Sequence, residues 1–237
     1  MRPITVLAPL TPVQKFCYLG STVTASLSLD EEINARVGIA ATTFGKLSKR
    51  AWDNTKLTLQ TKIQIYRACV ISSLLYGSET WTAYSRHERR LNIFHLRCLR
   101  KIMNIRWYDK ITNSEVLQRA NLPSIMGMLS SGRLRWLGHV RRMETYRIPK
   151  QMLFCELSER KRHQGRPLFS YKDVCKASMK NFSIGPSTWE KLADDRVVWK
   201  AKLRKGVESF EKRLMYELND KREKRKLRSC HSKTFAN

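Results

Sequence analysis

Acidic residues are scarce in this sequence: 20 Asp and Glu stand against 46 Lys and Arg, giving a formal net charge of +26 and a pI near 10.3. A chain tolerates so much self-repulsion when a polyanion neutralises it, which makes the RNA or DNA phosphate backbone the leading partner. Long apolar runs are missing too. No stretch of about 18 apolar residues exists and the charge is spread over several segments, so no membrane association is expected. Met1 to Leu10 carries one Arg, two prolines and too short an apolar core for a secretory signal, so the protein is expected inside the cell, nuclear or cytoplasmic, and not secreted. The six cysteines are therefore expected to stay thiols. Cys155, His163 and Cys175 stand too far apart for paired zinc ligands, and Cys230-His231 are adjacent, so no metal is indicated. The sequence has no Gly-x-Ser-x-Gly elbow, no Gly-x-x-x-x-Gly-Lys loop and no His-Glu-x-x-His pair, and thus points to no cofactor and no small-molecule substrate. His87, His95 and His139 fall in helical patterns, where hydrogen-bonded or solvated histidines are commoner than catalytic ones.

What the sequence does have is helical periodicity. A hydrophobic content of 42% over 237 residues suits a globular chain. Leu59, Ile63, Tyr66, Val70 and Leu74 recur at steps of three and four, the stripe of a 3.6-residue helix that Gly77 would stop. A second helix is expected from Ser85, with Ser85 and Glu88 as a capping box. Its apolar stripe is Leu91, Phe94, Cys98, Ile102 and Ile105, while Arg90, Arg97 and Lys101 line the opposite side. The stretch from Lys62 to Trp107 thus reads as a helical hairpin with a basic outer face.

The same stretch carries a family resemblance. Thr61-Lys-Ile-Gln-Ile-Tyr66, Leu74-Leu-Tyr-Gly-Ser-Glu-Thr-Trp81, and Arg90-Leu-Asn-Ile-Phe94 with Cys98-Leu-Arg100 resemble the region after the polymerase palm in reverse transcriptases of non-LTR (LINE-type) retrotransposons. Phe16-Cys-Tyr-Leu-Gly-Ser21 resembles the primer-grip turn, which places Tyr18, Leu19 and Gly20 beside a primer terminus in such enzymes. Arg133-Leu-Arg-Trp-Leu-Gly-His-Val140 and Gly165-Arg-Pro167 match further family patterns. The similarity runs from about Val13 to near the C-terminus. It implies a thumb and the helices that follow it, derived from an RNA-directed DNA polymerase. Those polymerases hold two metal ions on aspartates of the palm, including an aromatic-x-Asp-Asp hairpin. None precedes Phe16, and Asp194-Asp195 lies in a helical pattern resembling the family's tail, so it reads as a helical surface pair. No catalytic residue carries over, and no enzyme activity is expected.

The fold class expected is mainly α, a helical bundle with a short N-terminal β remnant, in four parts: 1–29, 30–108, 109–184 and 185–237. Ile4 to Leu7 and Phe16 to Val23 read as strands, expected to pair poorly and stand detached for want of a sheet. Ser28 or Asp30 would cap a helix with the stripe Ile33, Val37, Ala40, Phe44 and Leu47. Thr112 and Glu115 form another capping box, ending before Pro123. Ile125, Leu129, Trp136, Val140 and Met143 share one helix face; Arg135, His139 and Arg142 share another, the expected phosphate-contacting face. Arg133 joins these candidates, as does Arg166 in the basic loop 158–168, where a Gly-x-Pro turn frees the guanidinium fork. Ser187 and Glu190 suggest a last capping box for a helix bearing Trp189, Leu192, Trp199 and Leu203. From Gly206 the pattern degrades into a charge run expected to fray. Two functions remain: a nucleic-acid-binding fragment of such a polymerase, or a retrotransposon-derived helical interaction protein that binds acidic partners or chromatin.

Overall fold

Apolar residues at steps of three and four give helices almost throughout, and the computed structural model is 72% helical. It describes residues 13–26, 28–155 and 170–234, with side chains through 227. Strands β1 (Lys15–Tyr18) and β2 (Ser21–Thr24) pair antiparallel, Phe16 opposite Val23 and Tyr18 opposite Ser21. The helices are α1 (Asp30–Lys46), α2 (Leu59–Ile65), α3 (Ser72–Leu74), α4 (Ser85–Ile102), α5 (Asn113–Ala120), α6 (Ile125–Arg141), α7 (Ile148–Phe154), α8 (Tyr171–Asn181), α9 (Trp189–Asp194) and α10 (Arg196–Thr234). The expected mainly α architecture with a small N-terminal β element is the one observed; Ile4 to Leu7 lies outside the described residues.

The stripe that opens the helical hairpin folds as expected, with one adjustment. Tyr66, Val70 and Leu74 are fully buried and Ile63 nearly so, whereas Leu59 is exposed. Between α2 and α3 the backbone widens into a π turn over Tyr66–Ile71. Two successive steps of four would drift around a 3.6-residue helix, and the wider turn keeps those side chains on one line. Gly77 then reverses the chain with φ +71, a conformation that glycine adopts without steric cost.

The buried side chains form two clusters. The first joins α1 to α5 and the start of α6, from Ile33 to Leu129; the second joins α6 from Leu134 with α8, α9 and α10, up to Phe210. Helix α6 belongs to both. Of its side chains only Arg135 and His139 are exposed, while Ile125, Leu129, Leu134, Leu137 and Val140 are buried. The sequence reading gave α6 one apolar face and missed Leu134 and Leu137; a helix buried nearly all round lies at a centre. Its glycines let neighbours approach closely. A Cβ on Gly138 would lie 2.3 Å from Trp199 Nε1, and that indole instead donates to the Leu134 carbonyl at 3.0 Å. On α10, Glu211 reaches the start of α6, accepting hydrogen bonds from Ser124 N at 3.0 Å and Ser124 Oγ at 2.7 Å.

Several local expectations need correction. Ser85 and Glu88 make no capping box: the cap of α4 is His87 Nδ1, which accepts from Tyr84 N at 3.2 Å. His87 Nε2 lies 3.0 Å from Asp30 Oδ1 and so ties the start of α4 to that of α1. Glu88 turns inward instead. Thr112 does cap α5, accepting from Glu115 N at 3.2 Å, but Glu115 pairs with Arg119 at 2.6 Å rather than reaching back. Ser187 and Glu190 do not cap α9. A box that the spacing search for Glu overlooked uses Asp: Ser170 Oγ accepts from Asp173 N, and Asp173 Oδ2 accepts from Ser170 N. Past Gly206 the backbone stays helical through Thr234 rather than fraying.

The β hairpin is not detached. Glu32 and Arg36, both buried, pair at 2.8 Å on α1. Glu32 accepts from Thr22 N at 2.6 Å, and Arg36 donates to the Gly20 carbonyl. The Arg36 guanidinium also lies 4.6 Å from the centre of the Tyr76 ring. In place of a sheet, a buried ion pair with satisfied hydrogen bonds fastens the strands to the first helix.

Candidate nucleic-acid interface

A phosphate contact needs a cation that is in water and free of a competing carboxylate. Helix α4 supplies a row of them because its inner face takes Leu91, His95, Cys98, Leu99 and Ile102 into the core. Arg90, Arg97 and Lys101 are exposed on the other side, as the spacing predicts. Lys101 lies 3.3 Å from Asp53; among the described residues no carboxylate pairs with Arg90 or Arg97.

Helix α6 departs from the sequence reading. Arg135 and His139 are exposed, but Arg133 is 2% exposed and cannot reach a phosphate. Its Nη1 donates to Ser178 Oγ at 2.7 Å and its Nη2 to the Trp81 carbonyl at 3.4 Å. Burial disfavours its charged form, which Cys175, Tyr171 and, least of the three, Glu88 partly offset; burial also pushes the Glu88 carboxyl above its ordinary pKa. Arg142 is half-buried and donates Nη1 to the Ala193 carbonyl, where it docks α9. Arg141 next to it lies 3.2 Å from Asp194. Spacing put Arg133, Arg135, His139 and Arg142 together as cations of one helix; packing leaves only Arg135 and His139 in water. Arg166 lies outside the described residues, as does the whole basic loop 158–168.

Tyr18, Leu19 and Gly20 form the tip of the hairpin. Leu19 and Gly20 both have positive φ, +48 and +80, the two-residue turn whose twist suits a β hairpin. Tyr18 and Leu19 are exposed, and Phe16 stacks beside Tyr18 with ring centres 6.3 Å apart. Tyr76 reaches up to the tip and donates its hydroxyl to the Leu19 carbonyl at 3.3 Å.

Asp194 and Asp195 are not one helical pair. Asp194 ends α9 and faces Arg141, while Asp195 breaks the helix and caps α10, its Oδ1 accepting from Val197 N at 2.7 Å and Val198 N at 3.2 Å. An Asp followed by a new apolar stripe is a capping signal; the joint spacing of Trp189, Leu192, Trp199 and Leu203 masked it. Among the described residues no three His, Cys, Asp or Glu side chains converge as metal ligands, and no helix is long and apolar enough to cross a membrane. Cys17, Cys69, Cys98, Cys155 and Cys175 are free thiols, and burial pushes the Cys98 thiol up to about 12. A cleft of about 690 Å³ opens between α6, α7 and α8, lined by Trp136, Val140, Met152 and Tyr171 among others. Sequence reasoning also passed over Trp107 and Tyr108, aromatic and exposed just beyond α4.

Fold and surface together define a mainly α protein whose amphipathic helix α4 leaves Arg90 and Arg97 in water and whose central helix α6 leaves Arg135 and His139 there. The chain is similar to a putative uncharacterized transposon-derived protein of Caenorhabditis elegans, 24% identical over 205 residues, which cover 84% of this chain and 73% of that protein. That similarity supports a transposon origin. No family model and no solved structure matches the chain.

Proposed function

We propose that this chain is a nucleic-acid-binding piece of a non-LTR retrotransposon reverse transcriptase, from the region that follows the palm, and that it does not polymerise by itself. The observation that carries the reading is the exposure of Arg90 and Arg97 on the outer face of α4 and of Arg135 and His139 on the otherwise inward-turned α6. The net charge of +26 and the likeness to a transposon-derived protein support it. The cations lie in rows along helix faces and in no base-reading motif, so contacts go to the phosphate backbone of RNA or DNA with little sequence preference. Tyr18, Leu19 and Gly20, at the tip of an anchored hairpin, are the part that would border a primer end. Polymerisation then belongs to aspartates of a palm outside these residues.

Fluorescence anisotropy with labelled duplex and RNA at several salt concentrations tests this. If about six phosphates are neutralised, log affinity falls against log salt with a slope near −0.9 per phosphate, roughly a thousandfold between 50 and 200 mM. Primer extension on an RNA template with magnesium gives no product above background. Binding that ignores salt overturns the reading and favours the interaction protein; extension abolished by changing Asp194 and Asp195 overturns the assignment of inactivity.

A further inference from the structure

Just past α4 the chain makes a single 3-10 turn, Trp107–Asp109. Trp107 on it is 90% exposed and Tyr108 54%. The turn that carries these rings is closed by hydrogen bonds. Arg106 N donates to Asp109 Oδ2 at 2.6 Å, and Asp109 N donates to the Arg106 carbonyl at 3.2 Å. Lys110 then enters the left-handed region at φ +52. Beyond it, Arg100 reaches from α4 to donate to the Ile111 carbonyl and to Asn113 Oδ1, both at 2.9 Å. The turn is thereby clamped at both ends while its two rings project. The rings meet edge to face with centres 5.9 Å apart, and the Arg106 guanidinium lies 6.0 Å from the Tyr108 ring centre.

Charge around the turn says what the rings face. Arg100, Lys101, Arg106 and Lys110 flank the rings along the chain; Lys101 is paired with Asp53 at 3.3 Å and the Asp109 carboxylate is engaged with the backbone, while among the described residues Arg100, Arg106 and Lys110 form no ion pair. Next along the chain, Ser114 Oγ lies 3.5 Å from Asn219 Oδ1 of α10, shortly before the exposed Lys221, Arg222, Arg225 and Lys226; Lys224 among them is paired with Asp220 at 2.8 Å, and Glu223 is exposed beside them. Two exposed rings on a hydrogen-bonded turn flanked by cations match the stacking platform of single-strand binders, in which bases lie on aromatic faces while cations track the backbone. Base faces are inaccessible inside a duplex. We therefore propose that Trp107 and Tyr108 form a stacking site for unpaired bases, making the region after α4 a single-strand subsite of the nucleic-acid interface; this rests on the binding function proposed above.

The test uses the full chain with a single-stranded oligonucleotide and a duplex of the same sequence, each titrated at several salt concentrations. Trp107→Ala should weaken single-strand binding by roughly five- to a hundredfold, the effect of losing one stacked base, while leaving duplex affinity and both salt slopes unchanged. Trp107→Phe should keep most of the affinity and lose the fluorescence quenching that single strand causes in the wild type. Loss of affinity in equal measure for both nucleic acids, or none for single strand, overturns the stacking site. So does a Trp107→Ala variant that loses binding only to anionic vesicles, since the rings would then serve a lipid surface. A wild type that binds neither nucleic acid would instead sink the proposed function itself.

Discussion

Helices α4 and α6 are nearly equal in length, 18 and 17 residues, yet the exposed cations of one were legible in the sequence and those of the other were not. Helix α4 has core on one side and water on the other, so its residues sort by the 3.6-residue period and its cations stay where the spacing puts them. Helix α6 lies against α4, α8, α9 and α10 and the turn at Ser78–Thr80. Its neighbours come from segments far away in the chain, so which of its polar residues reach water depends on what packs where. A row of cations read from spacing therefore holds on a helix with one buried face and fails on a central one.

The largest test of that contrast is Trp199→Ala. It empties the notch at Gly138 and removes the hydrogen bond to the Leu134 carbonyl, and should cost about 3–5 kcal/mol in denaturant unfolding. Ile93→Ala on the exposed side of α4 should cost under about 0.5 kcal/mol. Equal losses would mean that α6 is no more central than α4.

Acid probes the inner face of α4. His95 Nδ1 is 2.9 Å from Tyr66 Oη and the ring is fully buried; burial lowers its pKa from 6.5 to about 4. A histidine with a depressed folded-state pKa contributes stability that is complete above 6.5 and is lost as the pH falls through about 4, roughly 3 kcal/mol across that window. His95→Gln should flatten this part of the profile of unfolding free energy against pH. Superimposable profiles of wild type and variant would show that the loss comes from other groups.

A smaller effect separates buried from exposed arginine on α6. Arg133→Ala should lower stability by about 2–3 kcal/mol, because Ser178 and the Trp81 carbonyl lose a charged donor. Arg133→Met should recover much of that loss by filling the space. Neither should change the salt slope of binding; a shallower slope in either would place Arg133 at the nucleic acid after all.

The smallest effect sharpens the exposed side. Arg135→Ala should reduce the slope by about 0.9, one phosphate contact, on unrelated sequences alike. Arg142→Ala should lower the melting temperature by loosening α9 and leave the slope alone. A slope change from Arg142 and none from Arg135 would reverse the assignment of that face.

Local rules suffice for the mainly α class, the outer cations of α4 and the cap at Thr112, since each follows from the period of the helix or from a hydroxyl within reach of the next turn's amide. The turn at Leu19-Gly20 was legible through the family resemblance. Packing between distant segments decides that α6 is the centre, that Arg133 is buried, and that Glu32 and Arg36 fasten the strands. For Glu32 and Arg133 the outcome rests on partners 10 and 52 positions away, Thr22 and Trp81, and a spacing rule confined to one helix carries no information about a neighbour supplied by another.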